Sequence, residues 1–364
     1  MSYRRFLRKY KHVLLIAVVM LSAIGIVSVL TAAALRPVNQ KNGFDRKVLT
    51  PLASVVSAIE KPAEVFDIAG TYNESIYFKT RWPGKLFITD LALGNQRALT
   101  LNLPANKKLA SIVYHFIEDS SNFKILAGNM PAIITAHASL PGKGRRFPAG
   151  VFTRAVRISE HSYVFRGFDS TRRTPDQIFV KGDARIGVTA REHNISELNG
   201  DAGVSTDGLL HYDSTTNQLL YIYFYRNEIL CLDTNLNLLS KRHTIDVNSD
   251  FTTTGGQLSK NGKATFTNTA PRRMINWTNC VYKGMLFNNS RLKGDNETDN
   301  DFKNGSAIDV YDVATGKYKG SFYIPRYKEE KMRQFNIVND RLIAIYKNHI
   351  ATYEIPATFA TEHY

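Results

Sequence analysis

Cysteine and tryptophan are scarce in this chain of 364 residues, with two of each. Two cysteines exclude a disulfide-stapled miniprotein and a multi-cysteine zinc module. With no Cys-x-x-Cys, there is no thiol-redox motif. The chain also lacks His-Glu-x-x-His, His-x-His and the Gly-x-Ser-x-Gly nucleophile elbow. His115, His137, His161, His193, His211, His243, His349 and His363 therefore each stand alone in sequence, and each reads as structural or exposed rather than catalytic. Long amphipathic helical stretches are absent too, whereas Tyr (18) and Phe (20) are plentiful, which tilts the balance toward strands.

Basic residues outnumber acids by 47 to 32, a net charge of +15 with a pI near 9.6. This excess is uneven. The first twelve residues carry Arg4, Arg5, Arg8, Lys9 and Lys11 and no acid, and Val13 to Leu35 follows as 23 residues without a charge. At ~1.5 Å per residue such a helix crosses the ~30 Å hydrocarbon layer. The basic flank on its N-terminal side places residues 1–12 in the cytoplasm and everything after Arg36 outside it. The run exceeds the ~7–15 residues of a signal-peptide core, which favours a signal anchor. A cleaved signal peptide is the alternative, because Ala32-Ala33-Ala34 has the look of a cleavage site. Residues 1–36 hold six basic residues and no acid, so the remainder has 41 basic and 32 acidic residues, a net of +9. An exported domain of that charge does not meet nucleic acid in the usual way, and nucleic acid is not expected as a partner.

Residues 36–62, with Pro37, Pro51 and Pro62, read as a linker carrying a short helix at Leu52–Ile59. From there to Ile355 the pattern is short apolar or alternating runs separated by Gly, Asn, Asp and Pro, which argues for an all-β domain. Three runs share a frame: Leu86–Gly94, Ile229–Asn237 and Ile308–Gly316. Each has apolar residues four and two before an Asp (Asp90, Asp233, Asp312) and a Gly or Asn four after it. An Asp side chain can cap the turn backbone, and the Gly or Asn is expected to supply the positive φ of the reversal. Tyr225-Arg226-Asn227-Glu228-Ile229 matches Tyr346-Lys347-Asn348-His349-Ile350 as strand, tight turn, strand, which puts Glu354 in the place of Asp233. The spacings Asp90–Asp233, Asp233–Asp312 and Asp312–Glu354 are 143, 79 and 42 residues. They fit six units of roughly 40–50 residues, with a polar insertion at Arg291–Gly305 in the fifth. Such units in a row make a β-propeller. Val65–Ile68 is expected to close the ring beside Ile350–Ile355.

Ile308-Asp309-Val310-Tyr311-Asp312-Val313-Ala314-Thr315-Gly316-Lys317 resembles the blade hairpin of propellers of the TolB, NHL and YncE-like type, and the whole plan resembles exported propeller proteins of Bacteroidota. The resemblance implies a six-bladed propeller over residues 63–356, with seven blades as the alternative and residues 357–364 as a tail. It implies little about activity. WD-repeat propellers need recurring Gly-His and Trp-Asp pairs, and kelch propellers need repeated Gly-Gly, of which Gly255-Gly256 is the single instance. Quinone-cofactor propellers use a tryptophan per blade, against Trp82 and Trp277 here.

Four sets of residues are candidates for chemistry. Arg145-Arg146, Arg172-Arg173 and Arg272-Arg273 sit in loop-like contexts and would form an anion-binding rim if the loops converge; the alternative is independent solvated loops. Asp295–Asp301 offers hard oxygen ligands suited to calcium but lacks the spacing of a calcium loop, so a solvated, mobile insertion is favoured there and no cofactor is expected. Cys231 and Cys280, on neighbouring units in an oxidising compartment, are a candidate disulfide, with two buried free thiols as the alternative. A channel-bound divalent cation would need carboxylates and Asn from separate blades.

The expectation is therefore a single-pass protein of a bacterial inner membrane, anchored by Val13–Leu35 with a periplasmic propeller. Its work would be non-catalytic binding of a protein, peptide or small polar ligand. The competing class is a lactonase-like, metal-dependent hydrolase or lyase.

Overall fold

The structure is a computed structural model that describes residues 11–35, 41–50, 53–104, 109, 113–130, 132–147, 150–169, 176–192, 194–249, 255–260, 263–268 and 274–360. It divides into two compact units, Met1–Lys41 and Asn42–Tyr364. In the first, helix α1 covers Lys11–Leu35, 25 residues, about 37 Å of rise. It is apolar all round, and its Leu, Ile and Val side chains stand largely exposed. The unbroken run of described side chains is residues 15–31. Among the described residues no helix is long and apolar enough to cross a membrane.

The described part of the second unit holds six blades, each built on four antiparallel strands, consecutive in five blades and three plus one from the N-terminal segment in the sixth. That segment gives β1 (Val48–Thr50) and β2 (Val55–Glu60). Blade 1 is β3 (Val65–Tyr72), β4 (Ser75–Thr80), β5 (Lys85–Asp90) and β6 (Arg97–Thr100). Blade 2 is β7 (Val113–Ile117), β8 (Asn122–Ala127), β9 (Ala132–His137) and β10 (Lys143–Arg146). Blade 3 is β11 (Phe152–Arg157), β12 (Ser162–Phe168), β13 (Gln177–Asp183) and β14 (Gly187–Arg191). Blade 4 is β15 (Gly208–Asp213), β16 (Gln218–Tyr223), β17 (Glu228–Asp233) and β18 (Leu238–His243). A separate hairpin follows, β19 (Gly255–Lys260) with β20 (Lys263–Asn268). Blade 5 is β21 (Asn276–Tyr282), β22 (Met285–Ser290), β23 (Gly305–Asp312) and β24 (Tyr318–Pro325), with β1 added in parallel at its outer edge. A short helix, α2 (Asp299–Asn304), lies in the connection between β22 and β23. Blade 6 is β25 (Gln334–Val338), β26 (Arg341–Ile345) and β27 (His349–Glu354), completed by β2. Helix α3 (Ala357–Ala360) ends the described chain. Five of the six neighbouring pairs of first strands touch, and the Tyr114 hydroxyl links β7 to β11, so β3, β7, β11, β15, β21 and β25 line the axis.

The core lies between blades rather than at the centre. Six large apolar clusters each join two neighbours. Phe78 and Ile345 join blades 1 and 6, Phe123 and Leu86 join 2 and 1, and Phe165 and Leu126 join 3 and 2. Tyr221 and Phe179 join 4 and 3, Leu286 and Ile222 join 5 and 4, and Phe322 and Leu342 join 5 and 6. A middle strand is thus covered on both faces and reads as a continuous apolar run, as in Gln218–Tyr223. The six-unit spacing is correct: Asp90, Asp233, Asp312 and Glu354 end the third strands of blades 1, 4, 5 and 6. The separate hairpin makes no seventh blade.

Several expectations change. Residues 36–62 are not simply a linker, and Leu52–Ile59 is not helical where described. Val55–Glu60 instead completes blade 6, pairing antiparallel with β27 as Ala58↔Ala351 and Ile59↔Ile350. The residues Val55-Val56 and Ala58-Ile59 are β-branched or small and suit an edge strand. Val65–Ile68 therefore does not close the ring. It belongs to the innermost strand of blade 1, because the closing position is already filled. In the repeated turn, the left-handed residue is Leu93 (φ 63°) and Leu236 (φ 69°), one place before the expected Gly94 and Asn237; only in the third turn does Gly316 (φ 73°) take it. The extra length between Asp233 and Asp312 comes from two insertions, since the β19–β20 hairpin adds to Arg291–Gly305.

Candidate functional site

The topology gives the propeller two unlike faces. One carries the turns between first and second and between third and fourth strands. These are tight, and aspartates tie them together. Asp90 accepts from the Gly94 amide (2.7 Å), Asp233 from the Asn235 and Asn237 amides (both 2.8 Å) and Asp312 from the Thr315 amide (2.7 Å). Asp119 does the same for Ser121 and Asn122. The Asn122 side chain and the Ser121 amide hold its carboxyl down at about 2. The opposite face carries the connections between blades and between second and third strands, among them residues 194–207, 244–249, 274–275, 291–304 and 326–333.

Between the faces, polar side chains on the inner strands cross five of the six blade boundaries, and Lys79, on β4, reaches across the sixth. Gln334 donates to Asp67 (2.9 Å) and accepts from Thr278 (2.6 Å), linking blades 1, 6 and 5. His211 meets the Asn279 amide oxygen at 2.5 Å, from blade 4 to 5. Arg154 donates to the Gly208 carbonyl (2.6 Å) and Asp207 (3.0 Å), from blade 3 to 4. Tyr114 donates to the Thr153 carbonyl (2.6 Å), from blade 2 to 3, and the Lys79 ammonium lies 5.6 Å over the Tyr114 ring. The belt is closed, and its groups satisfy one another. Burial opposes the Asp67 charge, but Lys79 at 2.7 Å outweighs it and keeps the carboxyl below its ordinary range. Burial pushes His211 down to about 4, so its ring is neutral near pH 7.

Two cavities lined by described residues open on the long-connection face. One, about 300 Å³, lies between blades 1 and 2 and is lined by Phe66, Lys79, Arg81, Pro83, Val113 and His115 among others. His115 is 6% exposed. Its Nε2 lies 2.8 Å from the Pro83 carbonyl and must donate to it, which leaves Nδ1 buried without a partner. Burial holds the ring down at about 4. The other cavity, about 150 Å³, lies at blades 5 and 6 and is lined by Arg291, Lys331, Asn289, Ser290, Ser306 and Phe302 among others.

Of the six arginines of the expected basic rim, two are described. Arg145 and Arg146 are exposed on β10, the outermost strand of blade 2, with Arg145 donating to the Arg185 carbonyl at 2.6 Å. An outer strand cannot face the axis. Arg172, Arg173, Arg272 and Arg273 lie outside the described residues. The bridge between Cys231 and Cys280 does not form; both thiols are free and buried. Cys231 packs between blades 4 and 5 and Cys280 between blades 5 and 6, so they occupy different clusters. Nor is Asp295–Asp301 a loose loop. Asp295 accepts from the Asn42 amide (2.7 Å), Asn296 from the Arg46 amide (2.9 Å), and Glu297 pairs with the buried Arg46 at 2.5 Å. The oxygens considered for calcium thus hold the N-terminal segment. Among the described residues no group of three or more His, Cys, Asp or Glu could hold a metal ion.

No protein-family model and no curated protein matches the chain. Among solved structures it is similar to a member of the DUF4221 family from Bacteroides vulgatus, with 12% identity and a TM-score of 0.51 over 86% of this chain and 98% of that one. It is also similar to Raptor from Chaetomium thermophilum, at 8% identity and a TM-score of 0.49, covering 86% of this chain and 30% of that one. A third is a catalytically inactive virginiamycin B lyase from Staphylococcus aureus with quinupristin, at 9% identity and a TM-score of 0.47, covering 82% of this chain and 99% of that one. The first likeness shows the propeller fold alone, and none of the three bears on activity.

Proposed function

We propose that this is a bacterial inner-membrane protein whose periplasmic propeller binds a protein, peptide or small polar ligand on its long-connection face, without catalysis. The observation that carries the reading is where the described cavities open. The belt around the axis is closed on itself, whereas both described cavities, one with an unpartnered His115 nitrogen, open on the face of long connections. Rigid scaffolds that present variable loops on one side are suited to recognition. Anchoring is supported by the uncharged Val13–Leu35 run behind five basic residues. Against a lactonase-like metal site stands Asp67, whose two oxygens are taken by Lys79 and Gln334.

Crosslinking in membranes is expected to recover a partner or ligand on the long-connection face, and metal analysis of the purified chain to show no stoichiometric ion. A bound calcium or zinc ion would overturn the non-catalytic reading. A reporter fused after Tyr364 is expected to work only if it functions outside the cytoplasm. Activity of a cytoplasm-only reporter there would sink the anchored topology.

A further inference from the structure

The cavity at blades 5 and 6 is electrostatically one-sided. Arg291 begins the connection that leaves β22, and Lys331 lies in the link from blade 5 to blade 6; both line the cavity. Neither forms a salt bridge among the described residues. The guanidinium of Arg291 stacks on Trp277, 3.8 Å from the ring centroid, and Trp277 is itself pinned by its indole N–H donating to the Arg333 carbonyl at 2.9 Å. Lys331 meets a carbonyl, that of Phe302 at 3.4 Å, and the Phe302 ring at 5.4 Å. Burial, then Arg326 and Arg291, draws the Lys331 ammonium below its ordinary value, and burial alone does the same to Arg291. Lys331 thus sits in the positive field of Arg326 and Arg291.

Acids nearby are committed elsewhere. Asp299 is held by Lys293 at 2.6 Å, with Lys303 at 3.7 Å, and Asp301 takes the Thr298 hydroxyl at 2.7 Å. Glu330 accepts from the Asn348 amide and side chain and faces His349, and Glu329 pairs with Arg326. The remaining wall supplies neutral donors. The Ser290 oxygen accepts from the Leu292 amide at 3.3 Å, so its hydroxyl proton is available, and the Ser306 hydroxyl lines the same space. A forked guanidinium, an ammonium and hydroxyls together make the donor set that oxoanions select. At about 150 Å³ the space is below the ~300–1,000 Å³ of sites for drug-sized ligands, and it suits a single headgroup.

We propose that this cavity binds one oxoanion group, phosphate or carboxylate, of a soluble ligand, with Arg291 and Lys331 as its charged donors. The proposal rests on the binding-module reading and names the chemistry of one subsite of it. Arg291, on its tryptophan platform, orients the anion; Lys331 supplies the point charge from the adjoining link.

The test is titration of the full-length protein in neutral detergent with inorganic phosphate, and separately with acetate, followed by calorimetry in an anion-poor buffer. Saturable binding of phosphate is expected. Arg291→Ala and Lys331→Ala should each weaken it about tenfold or more, the loss of one charge-assisted hydrogen bond. Lys143→Ala, on the outer strand of blade 2, should leave it unchanged. Arg291→Lys should recover part of the loss, since charge returns without the fork. Acetate binding as tightly as phosphate supports the oxoanion site and makes the group a carboxylate. No saturable binding of either anion, or binding that survives both Arg291→Ala and Lys331→Ala while these variants melt like the parent, overturns the proposal. If crosslinking still recovers a partner on the same face, that failure falls on this subsite and leaves the binding-module reading standing.

Discussion

The two faces of the propeller use charge in opposite ways. On the tight-turn face, Asp90, Asp119, Asp233 and Asp312 are consumed locally, each accepting from amides two to four residues along its own chain. On the long-connection face, Arg291 and Lys331 meet no carboxylate among the described residues while lining a cavity. A turn that closes on itself stabilises a hairpin and has little left to offer a ligand. Groups left uncompensated cost stability and are available for binding. The comparison separates residues that build the ring from residues that have something to recognise.

The sharpest way to break that comparison is at the base of the long-connection face. Arg46→Ala removes the cation that pairs with Asp309 (2.7 Å) and Glu297 (2.5 Å), all three nearly inaccessible. Stranding buried carboxylates typically costs about 3–5 kcal/mol, and urea unfolding should show a loss of that size. A loss under about 1 kcal/mol would mean the insertion is not anchored through this network.

Acidification comes next. His115 and His211 are held at about 4 in the folded chain, against about 6.5 when unfolded. Between those values the unfolded chain binds more protons, so stability falls as pH drops from about 6.5 toward 4, on the order of 1.4 kcal/mol per pH unit for each ring. His211→Asn should flatten the slope; an unchanged slope would place the titration elsewhere.

On the tight-turn face the expected effects are smaller. Asp312→Ala loses a turn acceptor and should cost about 1 kcal/mol while leaving phosphate titration untouched. A change in anion binding would blur the division between faces. Smallest of all, Arg291→Ala or Lys331→Ala should shift anion-free stability by no more than about 0.5 kcal/mol, because the relief of positive charge offsets the lost contacts with Trp277 and Phe302. A clear destabilisation would make these side chains structural.

What could be read from the sequence follows the same division. The turn aspartates repeat because each does the same local job, and local jobs leave periodic marks. Asp90, Asp233 and Asp312 therefore located the third strands, and the Tyr225–Ile229 match with Tyr346–Ile350 located two further turns. The positive φ was misplaced by one residue, since Leu93 and Leu236 adopt it under constraint from a neighbouring Asp rather than by residue preference. The inner belt left no such mark. Asp67, Tyr114, Arg154, His211, Thr278 and Gln334 are chemically unlike one another and find partners only once the ring has closed. Arg291 and Lys331 escaped notice because they are single basic residues, whereas the conspicuous pair Arg145-Arg146 lies on an outer edge. The strand β2 was mistaken for linker and helix because its partner lies at the far end of the chain.

That last pairing has a consequence for how the molecule comes into being. The Ser57 and Thr352 hydroxyls bond across 295 residues of sequence, so the first edge of the ring to leave the ribosome waits for nearly the last. Until β27 arrives, β2 has no ladder to join and blade 6 lacks its outer strand. Closure of such remote ends is slow, and an unpaired edge invites pairing with other chains. The interval before closure is when this chain is most exposed to aggregation and proteolysis. Truncations after blade 5 should therefore be degraded rather than fold as smaller rings.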